Sequence, residues 1–239
     1  MIRIRKLNKN FRKLAALQDI DLDFDSGQVV SLIGPNGSGK TTLIKCILGL
    51  VRPDSGDITI DGSSVLHSFA YRAQLGYMPQ IGRYPDQMRI GQLFDLLKNV
   101  RSAPAGGFDE ELIEAYQLRQ IFDKPMRTLS GGTRQKVSAA VAFLFDPRIL
   151  ILDEPTAGLD PLSSEILKEK ISVEKLKNKL ILITSHILSD LDELTTHVVY
   201  MQDGRIRFND AISELRTRTG EEKFGRAIAK LMSPSKPMN

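Results

Sequence analysis

Val29-Val30-Ser31-Leu32-Ile33-Gly34-Pro35-Asn36-Gly37-Ser38-Gly39-Lys40-Thr41-Thr42-Leu43-Ile44 is the stretch on which the fold turns. A short apolar strand pattern, 29–33, runs into a glycine-rich loop, and a helical pattern follows over 42–48. The loop has the spacing G-x-x-x-x-G-K-[ST]. A triphosphate is densely negative, and a loop can wrap it only if its backbone N–H groups converge. Glycines permit the φ values and the close approach that this needs. The helix N-terminus that follows adds partial positive charge. Gly34, Pro35, Asn36, Gly37, Ser38 and Gly39 are therefore expected to cradle the phosphates of a nucleotide, with Thr42 in the adjoining first turn. Lys40 is expected to reach the β- and γ-phosphates, and the Thr41 hydroxyl to bind Mg²⁺.

Outward from this loop, strand patterns recur at Ile2–Leu7, Ile20–Phe24, Asp57–Ile60, Leu75–Met78, Ile149–Leu152, Leu180–Thr184, Val198–Met201 and Ile206–Phe208. Helical patterns lie at 40–49, 87–100, 109–117, 131–145 and 161–176. Strand and helix in alternation predict an α/β fold, a P-loop NTPase core whose mostly parallel sheet is flanked by helices. The early strands, punctuated by Ser26-Gly27 and Pro53-Asp54-Ser55-Gly56, read as antiparallel β additions at the N-terminus. The segment 83–145 lacks strand patterns and reads as an inserted α-helical subdomain. One domain is expected over 1–239, with a nucleotide-binding core of 1–82 and 146–216, the helical subdomain at 83–145, and a C-terminal helix and tail at 217–239. In that last helix Phe224, Ala227, Ile228 and Leu231 form an apolar stripe, expected to pack on the core.

Ile149-Leu150-Ile151-Leu152-Asp153-Glu154-Pro155 is an apolar strand ending in two carboxylates. Such a strand delivers them to the carboxyl end of the sheet, where α/β proteins bind ligands. Asp153 is expected to hold Mg²⁺, and Glu154 to polarise an attacking water as general base. Leu129-Ser130-Gly131-Gly132-Thr133-Arg134-Gln135-Lys136 places a capping serine and two glycines at a helix start. Each piece alone has a plainer reading, a surface turn for Asp-Glu and an ordinary N-cap for Ser-Gly-Gly. Their order behind the phosphate loop favours the chemistry.

Together the three segments resemble the ATP-binding-cassette (ABC) ATPases over about residues 1–216. The resemblance makes Ser130, Gly131 and Gly132 the signature motif, which binds ATP held by the opposite subunit. It makes Phe11 the ring that stacks on adenine, and Gln80 the glutamine that contacts Mg²⁺ or water and joins the core to the helical lobe. Ala157-Gly158-Leu159-Asp160 resembles the D-loop, with Asp160 at the dimer seam, and His186 resembles the switch histidine at the γ-phosphate. The implied function is ATP hydrolysis by a dimer, a homodimer or one with a closely related second ATPase subunit, closing on two ATP to drive separate integral membrane permease subunits. Thr133 stands where the family usually has glutamine, Lys136 where it has arginine, and Arg12 where glycine is common. The compact chain, Thr133 and the tail near Ser213-Glu214-Leu215 resemble ATPase subunits of copper-processing systems for nitrous oxide reductase maturation; drug and sodium exporter ATPases are also similar.

Composition narrows the alternatives. Of 239 residues, 41% are hydrophobic and 26% charged, enough for a sizeable core. No apolar run approaches the roughly 20 residues of a membrane-spanning helix, and 1–11 carries no secretory signal pattern. The expected location is cytoplasmic, peripheral on the inner membrane's cytoplasmic face. A net charge of +4 without tryptophan or a basic, aromatic-interleaved run gives no support for nucleic acid as a partner. The lone Cys46 lies amid Leu43, Ile44, Ile47 and Leu48 and reads as core. A guanine-reading Asn-Lys-x-Asp is absent, which argues against a GTPase. A soluble ABC-type machine for DNA or translation would need a long coiled-coil insertion or a second cassette. A mechanical ABC ATPase, moving membrane partners without transport, remains the alternative.

Overall fold

Alternation of apolar and charged residues builds the first sheet. In β1 (Ile2–Phe11) and β2 (Leu14–Phe24), Ile2, Ile4, Ile20, Leu22 and Phe24 are buried. The intervening Arg3 and Arg5 face Asp25 and Asp23 at 2.6 and 2.7 Å. The pair is antiparallel, with Ile2 opposite Phe24 and Ile4 opposite Leu22. Both strands run further toward their hairpin than the sequence pattern predicts. The register shifts after Ile4, and Lys6 and Asp19 take φ of 45° and 48°. A bulge of this kind breaks the period of two while the strand continues beyond it.

The computed structural model describes residues 1–185 and 193–232. They fall into two units, the first made of 1–68 with the described residues from 184 on, the second of 69–183. In the first unit, β3 (Val29–Ile33) is buried throughout and leads to α1 (Lys40–Ile47). β4 (Ser55–Ile60) pairs antiparallel with β1, and the short β5 (Ser63–Ser64) completes the order β2-β1-β4-β5.

The second unit contains β6 (Leu75–Met78), α2 (Ile90–Val100), α3 (Glu111–Ala115), α4 (Gly131–Phe143), β7 (Ile149–Asp153), α5 (Pro161–Leu176) and β8 (Leu180–Thr184), whose last residue falls in the first unit. β6 and β7 are parallel, with Leu75 opposite Ile149 and Met78 opposite Leu152, and β8 flanks β7 on its other side. The helices α2 to α4 all fall between β6 and β7, as the strand-free segment predicted.

α5 is tied in by buried charge. Lys170 meets Asp109, Glu111 and Glu174 at 2.6, 2.6 and 3.1 Å, and Lys177 and Lys179 also pair with Glu174. Burial works against ionisation of Glu174, yet the three ammonium groups prevail and hold its carboxyl down to about 2.

The chain then re-enters the first unit. β9 (His197–Gln202) is parallel to β3, with Ile33 opposite Tyr200, and β10 (Arg205–Ala211) returns antiparallel. Two helices close this end, α6 (Ile212–Thr219) and α7 (Phe224–Met232). Ala227 and Ile228 of α7 are buried against Ile33, Val198, Tyr200, Ile212 and Leu215, so the expected core packing of this helix is observed. Cys46 is fully buried, and burial pushes its thiol up to about 11. Among the described residues no helix is long and apolar enough to cross a membrane. The α/β class with antiparallel N-terminal strands is the one expected from sequence.

Candidate functional site

The glycine loop in the first unit is shaped by backbone. Gly34 has φ 149°, and a Cβ there would lie 2.1 Å from the Met201 carbonyl oxygen. At Gly39, φ 106°, it would lie 2.5 Å from that of Ala16. Neither position admits a side chain. The Asp203-Gly204 turn between β9 and β10 braces the loop: Gly204 N–H donates to the Ser38 carbonyl at 3.1 Å. That turn is in turn held by β2, where Gln18 N–H donates to Gly204 at 2.8 Å and the Gln18 amide to Asp203 at 2.9 Å.

α1 starts at Lys40, with Gly39 as a cap that brings no side-chain oxygen to the first-turn amides. A helix start of this kind suits an anion. The Lys40 ammonium lies back over the loop and donates to the carbonyls of Gly34 and Pro35 at 2.8 and 3.0 Å. Thr41 is exposed and Thr42 partly buried. Asn36 and Gly37 lie at the exposed crest, whereas Ser38 is buried. Phe11, at the end of β1, is 46% exposed, an accessible ring face with the Lys9 ammonium 5.4 Å from its centroid. Arg12 beside it takes φ 54°, the conformation that glycine enters without strain.

The second unit holds the carboxylates. Asp153 ends β7, and both it and Glu154 are buried. Tyr77, on the neighbouring strand, is pushed up to about 12, first by burial and then by the charge of Asp153. Glu154 takes φ 52°. Its carbonyl accepts from Ala157 N–H at 3.1 Å and from the Gln135 amide at 3.3 Å.

Ser130 caps α4 as expected, its hydroxyl accepting from Thr133 N–H at 3.2 Å and lying 2.9 Å from the Thr133 hydroxyl. Gly131 and Gly132 follow in the first turn. Gly132 has no room for more: a Cβ would lie 2.7 Å from the Gly158 carbonyl oxygen. Asp160 caps α5, accepting from Ser163 N–H at 2.9 Å, and also pairs with Lys136 at 2.9 Å. Lys136 first, with the two Ser163 hydrogen bonds, holds the Asp160 carboxyl well below the usual range. Exposed Gln80 shares a cavity of about 380 Å³ with Gly131, Gly132, Gln135, Ala157 and Gly158.

The structure thus gathers the predicted phosphate-loop residues in the first unit, and Gln80, Gly131, Gly132, Ala157 and Gly158 around one cavity in the second. His186 lies outside the described residues. Sequence reasoning missed Gln135, whose partner is remote in sequence. Its only signal is a long amide set shortly before a run of small and apolar buried residues, Val137, Ser138, Ala139 and Ala140.

A buried parallel strand running into a glycine loop and a helix start suited to an anion defines a P-loop nucleotide-binding protein. The sequence profile of the family described as ABC transporter matches residues 17–157, and the chain belongs to that family. It is 33% identical over 215 residues to a Nod factor export ATP-binding protein I of Cupriavidus pinatubonensis, covering 86% of this chain and 64% of that one. It is 30% identical to the ABC transporter ATP-binding protein NatA of Bacillus subtilis, covering 88% of each chain. The chain therefore spans just under two thirds of the Nod factor relative and most of the NatA protein. A solved structure described as the ATP-binding subunit of an ABC transporter superposes with a TM-score of 0.90 at 27% identity, covering 98% of this chain and 100% of that one.

Proposed function

We propose that this chain is the ATP-binding and ATP-hydrolysing subunit of an ABC transporter, working as a dimer that closes on two ATP at the cytoplasmic face of a membrane. The observation that carries this reading is the glycine loop. Its backbone is fixed by contacts that exclude side chains at Gly34 and Gly39, and it opens onto a helix whose first turn has no side-chain cap. In this reading the Lys40 ammonium exchanges the Gly34 and Pro35 carbonyls for β- and γ-phosphate oxygens. Phe11 stacks on adenine. Ser130, Gly131 and Gly132 serve the ATP of the partner subunit, with Asp160 at the seam and His186 at the γ-phosphate. Glu154 takes the proton from the attacking water.

Thr41, Gln80 and Asp153 present hydroxyl, amide and carboxylate oxygens, the hard donors that suit Mg²⁺. These three residues would hold the ion, which when bound neutralises charge on the β- and γ-phosphates. The working division is a nucleotide-binding core of 1–82 and 146–216 with a signature-bearing lobe of 83–145. Separate membrane permease subunits receive the motion, and the Nod factor export relative favours export as its direction.

Two substitutions separate binding from turnover. Lys40→Ala is expected to weaken ATP binding itself, measured with a fluorescent nucleotide. Glu154→Gln should bind ATP normally while turnover falls about 10²–10⁴-fold, the usual contribution of a general base. Near-normal hydrolysis by Glu154→Gln would refute its role.

A further inference from the structure

The backbone at Glu154 opposes two preferences at once. A φ of 52° is left-handed, which strains a residue that carries a Cβ. Pro155 follows, and a proline drives the preceding residue toward extended backbone. A residue in such a conformation persists only where its surroundings hold it there.

One face of α4 lies along the segment from Glu154 to Asp160. Gly132, Gln135 and Lys136 stand at i, i+3 and i+4, the spacing that aligns side chains on a helix. Gly132 approaches the Gly158 carbonyl closely, Gln135 donates to the Glu154 carbonyl at 3.3 Å, and Lys136 pairs with Asp160 at 2.9 Å. Of the three, Gln135 touches the strained residue itself. It is only 5% exposed, so its amide is removed from water and an unmade bond there is costly. A carbonyl can only accept, which settles which end of the amide faces it.

We propose that Gln135 is a positioning residue for Glu154: its buried amide anchors the Glu154 carbonyl and so fixes the backbone from which the carboxylate is presented. The peptide plane after Glu154 and the direction of its Cβ are linked through one ψ angle. Gln135 shares the carbonyl with Ala157 N–H at 3.1 Å, and losing the amide bond loosens that angle and with it the side chain. The inference rests on Glu154 being the general base. It also gives α4 a double duty, since the helix whose N-terminus serves the partner's ATP is latched to the base of its own chain.

The test uses Gln135→Met, which keeps the length and removes the donor, in the full chain and in the Glu154→Gln background. Turnover is expected to fall about tenfold, the effect of one buried hydrogen bond. The KM for ATP should move less than twofold, and no further loss should appear in the Glu154→Gln background under long single-turnover incubation. Turnover within twofold of wild type overturns the proposal. So does a raised KM at unchanged kcat, or an equal loss in both backgrounds, since a merely structural residue would act without Glu154. If Gln135→Met does not fold, Gln135→Glu keeps the volume and sets a carboxylate against the carbonyl, with the same outcomes read. Wild-type turnover by Glu154→Gln alone removes the base reading itself. An inactive Glu154→Gln beside a fully active Gln135→Met removes only the positioning role.

Discussion

The phosphate loop and the acid-bearing segment 153–160 are held by opposite means. Around Gly34 to Gly39 the outside contacts are backbone to backbone, Gly204 N–H on Ser38 and carbonyls of Met201 and Ala16 where a Cβ would otherwise sit, and the side chain that joins them is Lys40, which follows the loop itself. Around Glu154 to Asp160 the anchors are side chains of one helix, Gln135 and Lys136, joined by the close approach at Gly132. A loop that must offer its own N–H groups to phosphate cannot spend them on side-chain anchors. A segment that must present a carboxylate keeps its side chains for chemistry and is held by its neighbours. The same contrast extends to the wider units, because α5 is fastened by the buried ammonium and carboxylate groups of Lys170, Lys179 and Glu174.

Glu174→Gln should therefore show the larger loss of stability, about 3 kcal/mol by chemical denaturation, because a buried ammonium loses its partner. Asp109 and Glu111 still face Lys170, which keeps the loss near the low end of such cases. The folded carboxyl of Glu174 titrates at about 2 against an ordinary value of 4.5. Its contribution is complete above the ordinary value and is lost as pH falls through the folded one. Glu174→Gln should flatten the wild-type loss of stability across that window, and an unchanged acid profile would break the contrast.

Gly34→Ala acts on the backbone-built region and should cost about 1–3 kcal/mol, since the added methyl meets the Met201 carbonyl in a conformation that disfavours any side chain. Its melting temperature should fall while the acid profile stays that of wild type. A neutral Gly34→Ala would mean that the loop yields, and that backbone contacts do not define it.

What could be read from sequence follows the same division. The glycine loop is contiguous, each residue's role set by its immediate neighbours, so Gly34 to Thr41 announced both strand and helix. Ser130 as a cap was legible for the same reason, as was the apolar strand ending in Asp153. The brace of Asp203-Gly204 on Ser38, and the Gln135 bond to Glu154, join distant segments and leave no local pattern. The bulge at Lys6 hid the outer halves of β1 and β2 by breaking the alternation that marks a strand. Arg12, a departure from the family's glycine, gave no sign that it would take the left-handed conformation glycine favours. The compact units, divided at 68/69 and 183/184, were not visible in composition.

The central claim is that two chains share each site, with Ser130, Gly131 and Gly132 of one serving the ATP on the Lys40 loop of the other. The molar mass of Glu154→Gln in solution, measured by light scattering with and without saturating ATP and Mg²⁺, tests it most directly. The account predicts a monomer without nucleotide and twice that mass with it, and a return to monomer when Ser130→Arg is added although ATP still binds. Glu154→Gln that binds ATP yet stays monomeric at saturation would contradict it.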